Sequence, residues 1–410
     1  MGTDTNSIDS DELSTANLRV TRLQALQPPS CVFEDLPGDV EVYTRVVDTR
    51  QVIDNMMAGC DDRLLVIVGL AEGHDIRALA TALSGLSDKL ATDLVLVLQC
   101  DQGMTHDPAN DGSYHANRGI RASRELLLEI NRLGLPTAVE FRDTITPQFF
   151  ADLLSWASVS AQSEMLQELV SGLSMPVGLR SSATNTAAVL RALEISNGEH
   201  HFLGVSSEGV CGIVRSTGNP DALAILAAPA ADPAAAAAVG AALGAVHRQR
   251  PEASLVIELS AEHLGPETLD TIVADQIGCG GPRAARIIGA HLHLPAALAS
   301  EPRGLEQLLG RLADGVRRRR MSASPRPAGA TADGTETGNL RIRDVRPPRP
   351  RSRLAVVSRR GSLTRAGTLP IGSPPAAAGL PARGAAAESR ARRGDPARPR
   401  RHPAHPRRLV

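Results

Sequence analysis

The sequence predicts an α/β protein: a (β/α)8 TIM barrel with an N-terminal extension, a β-hairpin insertion and a disordered C-terminal tail. Three observations carry this. First, the apolar run Leu64 to Val68 ends at Gly69 and opens into a polar loop with Glu72, His74 and Asp75. That is the pattern of a strand buried on both faces of a parallel sheet, with a site-bearing loop at its carboxyl end. Second, from Asp61 onward such runs alternate with helical patterns around eight times, which favours a closed ring of parallel strands over an open sheet. Third, periodicity collapses after residue 320 into Pro, Ala, Gly and Arg, a composition that cannot bury enough apolar surface to offset chain entropy.

Taken in order, residues 1–16 are polar and acidic and are expected to be a disordered leader. Residues 17–60 hold a proline turn and a helical pattern over 44–58, an extension packed outside the barrel. The barrel spans 61–320. Strands are expected at 64–69, 93–98, 137–141, 156–160, 175–179, 201–205, 223–227, 254–259 and 285–288. Helices are expected at 75–90, 117–133, 147–155, 164–173, 183–195, 232–248, 265–277 and 302–319. The run 209–215 pairs with 201–205 as a hairpin insertion. Residues 321–410 form the basic tail.

Charge is unevenly spread. Residues 321–410 hold 19 Arg against five acidic residues, so the overall net charge of -1 leaves a body of about -15. An acidic body is a poor binder of nucleic acid or anionic membrane, and the tail lacks the interleaved aromatics of an RNA-binding segment. Lys89 is the single lysine and lies in a polar helix end, which argues against imine chemistry on lysine. The five cysteines are scattered without a CxxC pair, as in a reducing compartment. The N-terminus is no signal peptide and no apolar run reaches membrane-spanning length, so the expected location is cytoplasmic.

Several segments together carry a resemblance: DDRLLVIVG (61–69), DGSYHANRGIRASRELLLEINRLGLPTAVEFRDTITPQFFADLLSWAS (111–158), ELVSGLSMPVGLR (168–180), HHFLGVSSEGVCGIVRSTGNPD (200–221) and HL (291–292). In these, and less sharply over 17–60, the chain resembles the class I 3-deoxy-D-arabino-heptulosonate 7-phosphate (DAHP) synthases of the shikimate pathway. The resemblance covers roughly residues 17–319. It implies a (β/α)8 barrel, oligomers built through the extension, and condensation of phosphoenolpyruvate with erythrose 4-phosphate on a divalent metal that polarises the aldehyde.

The resemblance also implies ligand positions, and here the residues differ. Ala71 stands where the family has a metal cysteine, Ala261 where it has a histidine, and Gly289 where it has a glutamate. The segment carrying the metal aspartate is missing between Leu294 and Leu305. Gln162 and Ala227 replace phosphate-holding arginines, the KPRTT loop is shortened between Gln99 and Asp111, and Arg180 replaces a lysine. The expectation is therefore that the metal is lost and no cofactor is held.

The remaining candidates are His74, Asp75, Glu72 and Glu258 for acid–base work, and Arg180, Glu140, Asp143 and Asp101 for substrate binding. Each has a blander alternative. Asp75 suits a helix cap, Glu258 suits an ion pair with Arg180 or Arg215, and Asp101, His106 and Asp107 suit a polar surface loop. Cys100 reads as a small buried residue, and GCGG (278–281) as a loop. His291 and His293 at i, i+2 could ligate metal from a strand, but only His291 matches a family position. His200 and His201 read as scaffold. Three functions follow: a divergent enzyme of a specialised biosynthetic pathway acting on a small anionic substrate, an inactive paralogue that binds a true synthase, or a DAHP synthase. The charged newcomers Glu72 and Asp101 favour the first. A homo-oligomer, or a hetero-oligomer with a related synthase, is expected.

Overall fold

The computed structural model describes residues 17–20, 23–70, 76–101, 116–229, 235–277 and 287–322. All belong to the first of two units, Met1–Thr331 and Ala332–Val410. Helices α1 (Pro29–Asp35) and α2 (Val40–Met57) come first. There follow β1 (Leu64–Leu70), α3 (Ile76–Leu90), β2 (Leu94–Gln99), α4 (Ala116–Arg132), β3 (Thr137–Glu140), α5 (Pro147–Phe150), β4 (Trp156–Ser160), α6 (Glu164–Val170) and β5 (Val177–Ser182). Then come α7 (Thr186–Asn197), β6 (His201–Val205), β7 (Cys211–Arg215), β8 (Ala222–Ala227), α8 (Ala235–Gln249), β9 (Leu255–Leu259), α9 (Pro266–Ile272), β10 (Ile287–Leu294), α10 (Ala296–Ala299) and α11 (Pro302–Ser322).

Eight of these strands form a closed parallel barrel in the order β1-β10-β9-β8-β5-β4-β3-β2. β1 closes it by pairing with β2 on one side and β10 on the other. The antiparallel pair β6–β7 stands apart from the barrel as its own sheet, with Leu203 opposite Ile213, which is the hairpin expected at 201–215.

Alternation along each strand divides the apolar residues into two sets. Leu64, Val66 and Val68 of β1 face the helices in the outer core, and Leu65 and Ile67 face the barrel axis. The inner set adds Val97, Ala138, Trp156, Leu223, Ile225, Val256 and Ile288. It also includes Ile53 and Met56 from α2. Asp39 caps that helix by accepting the Val42 N–H at 2.9 Å. Val42, Val46, Thr49, Ile53 and Met56 then line one buried stripe at helical spacing. Arg50 ties α2 down by donating to the carbonyls of Ala151 and Leu154. The extension thus plugs the amino-terminal end of the barrel and leaves the carboxyl end for a site.

β10 differs from expectation. The sequence places its strand at 285–288, but the strand runs Ile287–Leu294. The apolar run stops at Gly289, although the i, i+2 spacing of His291 and His293 already suits a strand. In fact Gly289 is required inside the strand, since a Cβ there would lie 2.7 Å from the Leu65 carbonyl oxygen. Beyond it the HLHL alternation continues the strand, with Leu292 and Leu294 in the outer core and His291 and His293 on the opposite face. At the other end of the barrel, α11 runs to Ser322, two residues past the boundary expected at 320. Its Arg317 and Arg320 both pair with the buried carboxylate of Asp93. The leader and the tail beyond residue 322 lie outside the described residues.

Substituting Ile53→Ala removes the plug's main inward contact and leaves a cavity beneath the inner layer. Equilibrium denaturation should show a loss of about 2–5 kcal/mol.

Candidate functional site

The carboxyl ends of the strands collect polar groups that the strand parity turns inward. Glu258 of β9 lies beside His291 of β10, and His293 lies beside Gly69 of β1. Arg180 comes from the end of β5, Glu140 from β3, and Gln99 from β2 with Asp101 just after it. The open position of Gly69 faces the His293 ring, 3.7 Å from where a Cβ would stand.

Glu258 is the hub. Its carboxylate accepts two hydrogen bonds from Arg180, Nε to Oε2 and Nη2 to Oε1, each 2.5 Å. His293 Nε2 lies 3.3 Å from Oε1 and His291 Nδ1 3.9 Å from Oε2. Arg180 Nη1 also lies 3.6 Å from Glu140, which Arg142 approaches from outside at 3.0 Å. Burial pushes the Glu258 carboxyl up, but His293, Arg180 and His291 together overcome that and hold it well below the usual carboxylate range. Burial, reinforced by His293, pushes His291 down to about 3, so its imidazole is neutral and keeps a lone pair.

Asp101 accepts the Glu140 backbone N–H at 2.5 Å and a hydrogen bond from the Gln99 amide. Burial nevertheless raises its carboxyl to about 6. The neighbouring Cys100 thiol is pushed up by burial as well, which makes it inert, in keeping with its reading as a small buried residue.

The structure brings together Glu258, Arg180, Glu140 and Asp101 of the sequence candidates. It does not bring Asp143 in: that carboxylate accepts the N–H groups of Ile145 and Thr146, both at 2.7 Å, and shapes the turn before α5. Glu72, His74 and Asp75 lie outside the described residues, as do His106, Asp107 and GCGG. Ala261 sits in a short turn in which buried His263 accepts the Ser260 N–H and bonds the Pro229 carbonyl at 2.5 Å. Both His263 nitrogens are thereby used, and it is structural.

The expectation of no cofactor is corrected here. Glu258, His291 and His293 offer one ligand atom each, all within 4.8 Å of one another. Among the described residues, both ring nitrogens of His291 are buried without a hydrogen-bond partner, and Nε2 of His293 has no neighbour other than Glu258 Oε1 at 3.3 Å. Two imidazoles and a carboxylate are a donor set that suits a divalent transition metal. The residues therefore fit such an ion. Gly289 is level with Leu65, near the start of β1, and a glycine offers no ligand atom. It is His291 and His293 that occupy the mouth.

Three further inward residues escaped the sequence reading. Gln99 Oε1, Trp156 Nε1 and Ser158 Oγ are also buried without a protein partner. Such groups cluster where a ligand or water completes them. Their signal was parity: Gln99 ends LVLVLQ, and Ser158 is two residues from the axis-facing Trp156.

Comparison with known proteins agrees with this fold. Residues 43–235 match the model of the DAHP synthetase I family. The Phe-sensitive phospho-2-dehydro-3-deoxyheptonate aldolase of Escherichia coli K12 is 37% identical over 227 residues, 51% of this chain and 65% of that protein. The Trp-sensitive enzyme of the same strain is 35% identical over 223 residues, 50% of this chain and 64% of that protein. A putative phospho-2-dehydro-3-deoxyheptonate aldolase of Schizosaccharomyces pombe is 35% identical over 229 residues, 52% of this chain and 62% of that protein. The chain thus spans just under two thirds of the length of these curated relatives. A phospho-2-dehydro-3-deoxyheptonate aldolase structure from Francisella tularensis SCHU S4 superposes with a TM-score of 0.63 at 25% identity, covering 73% of this chain and 99% of that one.

The raised Asp101 carboxyl sets a pH dependence. The folded protein holds this proton up to about 6, whereas the unfolded chain releases it near 3.8. The destabilisation is absent below the lower value, grows as pH rises between the two, and is complete above the upper. It reaches on the order of 2–3 kcal/mol. Unfolding of wild type and Asp101→Asn across pH 4 to 8 should show the variant gaining relative stability up to about pH 6 and no further. A pH-independent difference would refute the assignment.

Proposed function

We propose that this chain, whose residues 43–235 match the DAHP synthetase I family, is a transferase that joins phosphoenolpyruvate to an aldose phosphate in an aldol-type condensation. The observation that carries this reading is the Glu258, His291 and His293 cluster at the carboxyl end of the barrel, in which both ring nitrogens of His291 are buried without a hydrogen-bond partner among the described residues. These three residues would hold a divalent metal, which supplies Lewis-acid polarisation of the aldehyde carbonyl.

The chain's own groups do the rest. Arg180 is the inward-facing cation, with a planar fork suited to a carboxylate or phosphate. His291, held neutral by burial, offers a lone pair without first losing a proton. Glu258 is held ionised and is a poor proton acceptor at neutral pH, so its role is to bind and orient and not to act as a base. The α2 plug and the apolar inner layer close the barrel below the site and keep water out from that side. We infer a cytoplasmic protein that forms an oligomer of itself or with a related synthase; separately, no helix among the described residues is long and apolar enough to cross a membrane.

One observation favours a second reading. Both Glu258 oxygens take Arg180, and Ala227 and Gln162 offer no charge where the resemblance places arginines. A mouth with so few free cations suits a less phosphorylated substrate, and hence a repurposed enzyme of a specialised pathway.

The test is a coupled assay of the full chain with phosphoenolpyruvate, erythrose 4-phosphate and manganese. Turnover should vanish with chelator, return on adding metal, and fall at least about 100-fold in His291→Ala. Turnover by other aldehydes alone would select the second reading. Absence of turnover together with a stoichiometric complex with an active synthase would replace both with a binding role.

A further inference from the structure

Arg180 and a divalent cation would claim the same carboxylate. Arg180 stands at the end of β5, and Glu258 stands two strands away on β9. At ordinary strand spacing that is about 10 Å between backbones. The reach is possible because the residue on the intervening β8, at the level of Glu258, is Ala227. A longer side chain there would stand in the way of the guanidinium. The two partners also differ in freedom: the Glu258 side chain is 3% exposed, fixed and buried, whereas that of Arg180 is 39% exposed. Arg180 can therefore leave, and Glu140, 3.6 Å from its Nη1, gives it a second carboxylate near the opening.

A buried carboxylate requires a positive partner, but two cations on one small carboxylate repel each other. Glu258 faces Arg180 on one side and the two imidazoles on the other. We propose that Arg180 is a placeholder cation on Glu258, and that loading a divalent metal onto Glu258, His291 and His293 displaces it and frees its guanidinium to bind an anionic substrate. The inference rests on the metal reading above and deepens it. Metal and anion then bind with positive coupling, and the coupling is reciprocal by linkage.

The experiment measures binding, not turnover. Manganese alone is titrated into chelator-treated protein and followed by electron paramagnetic resonance of the free ion, and inorganic phosphate is titrated by calorimetry with and without manganese. Phosphate should bind roughly tenfold tighter with manganese present, and manganese tighter by the same factor with phosphate. Direct metal–anion attraction would give coupling of the same sign, so the deciding arm omits metal. Glu258→Gln should free Arg180 outright and tighten phosphate roughly tenfold in metal-free protein, whereas Glu140→Gln, which removes the same charge but not the bidentate pair, should change it by about twofold or less. Thermal unfolding checks that both variants are folded. Equal effects of the two variants would overturn the placeholder role even if manganese binds. Failure of manganese to bind would overturn the metal reading, and the variant comparison would still decide whether Arg180 is released.

Discussion

The pairing of β1 with β10 is the constraint on which the rest depends. An open sheet of these strands would leave two edges and no interior. Closure gives each of the eight strands a neighbour on both sides and forces every second side chain toward one axis. At the bottom of that axis the side chains are apolar and α2 seals them. At the top they are Gln99, Glu140, Ser158, Arg180, Glu258, His291 and His293. Groups far apart in sequence meet there because the register of β1, β10 and β9 places Gly69 beside His293 and His291 beside Glu258.

Closure also explains why the charges take the arrangement they do. A carboxylate as deep as Glu258 is costly unless paired, and breaking such a pair typically costs about 3–5 kcal/mol. The barrel offers it Arg180 across the short side chain of Ala227, and two imidazoles on its own side. Asp101 shows the opposite outcome. Among the described residues it has backbone and amide donors but no cation in hydrogen-bond contact, and burial wins, raising its carboxyl to about 6. Two acids on one rim thus shift in opposite directions, one with an arginine on both oxygens and the other without.

Much of the fold was legible in the sequence. LLVIV, LVLVL and ALAILA read as doubly buried strands because a parallel barrel covers both faces. The ion pair of Glu258 with Arg180 was legible too, since each is a lone charge ending an apolar strand. His291 and His293 were legible as two ligands on one strand, but their meeting with Glu258 was not, for a physical reason. Ligand positions were assigned by matching short segments in line, and β10 was cut off at Gly289. Only the strand register shows that position 289 lies deep in the barrel and that His291 and His293 reach the mouth. Parity along one strand can be read from a sequence, but which residues stand level on neighbouring strands cannot.

The distribution of similarity follows the same logic. The family match ends at residue 235, whereas Glu258, His291 and His293 all lie beyond it, and Asp101, Glu140 and Arg180 lie within it. Yet the structural likeness extends over 99% of the Francisella chain. The barrel thus continues past the family match, with Glu258, His291 and His293 on its axis. This is possible because the two faces of a barrel strand answer to different demands. Val256, Ile257 and Leu292 need only be apolar and of the right size to hold their places between helices and inner layer. The inward positions above them are bound only by the need to satisfy one another. A histidine on one strand therefore finds a carboxylate wherever the neighbouring strand supplies one at the same height, as β9 does with Glu258 beside His291.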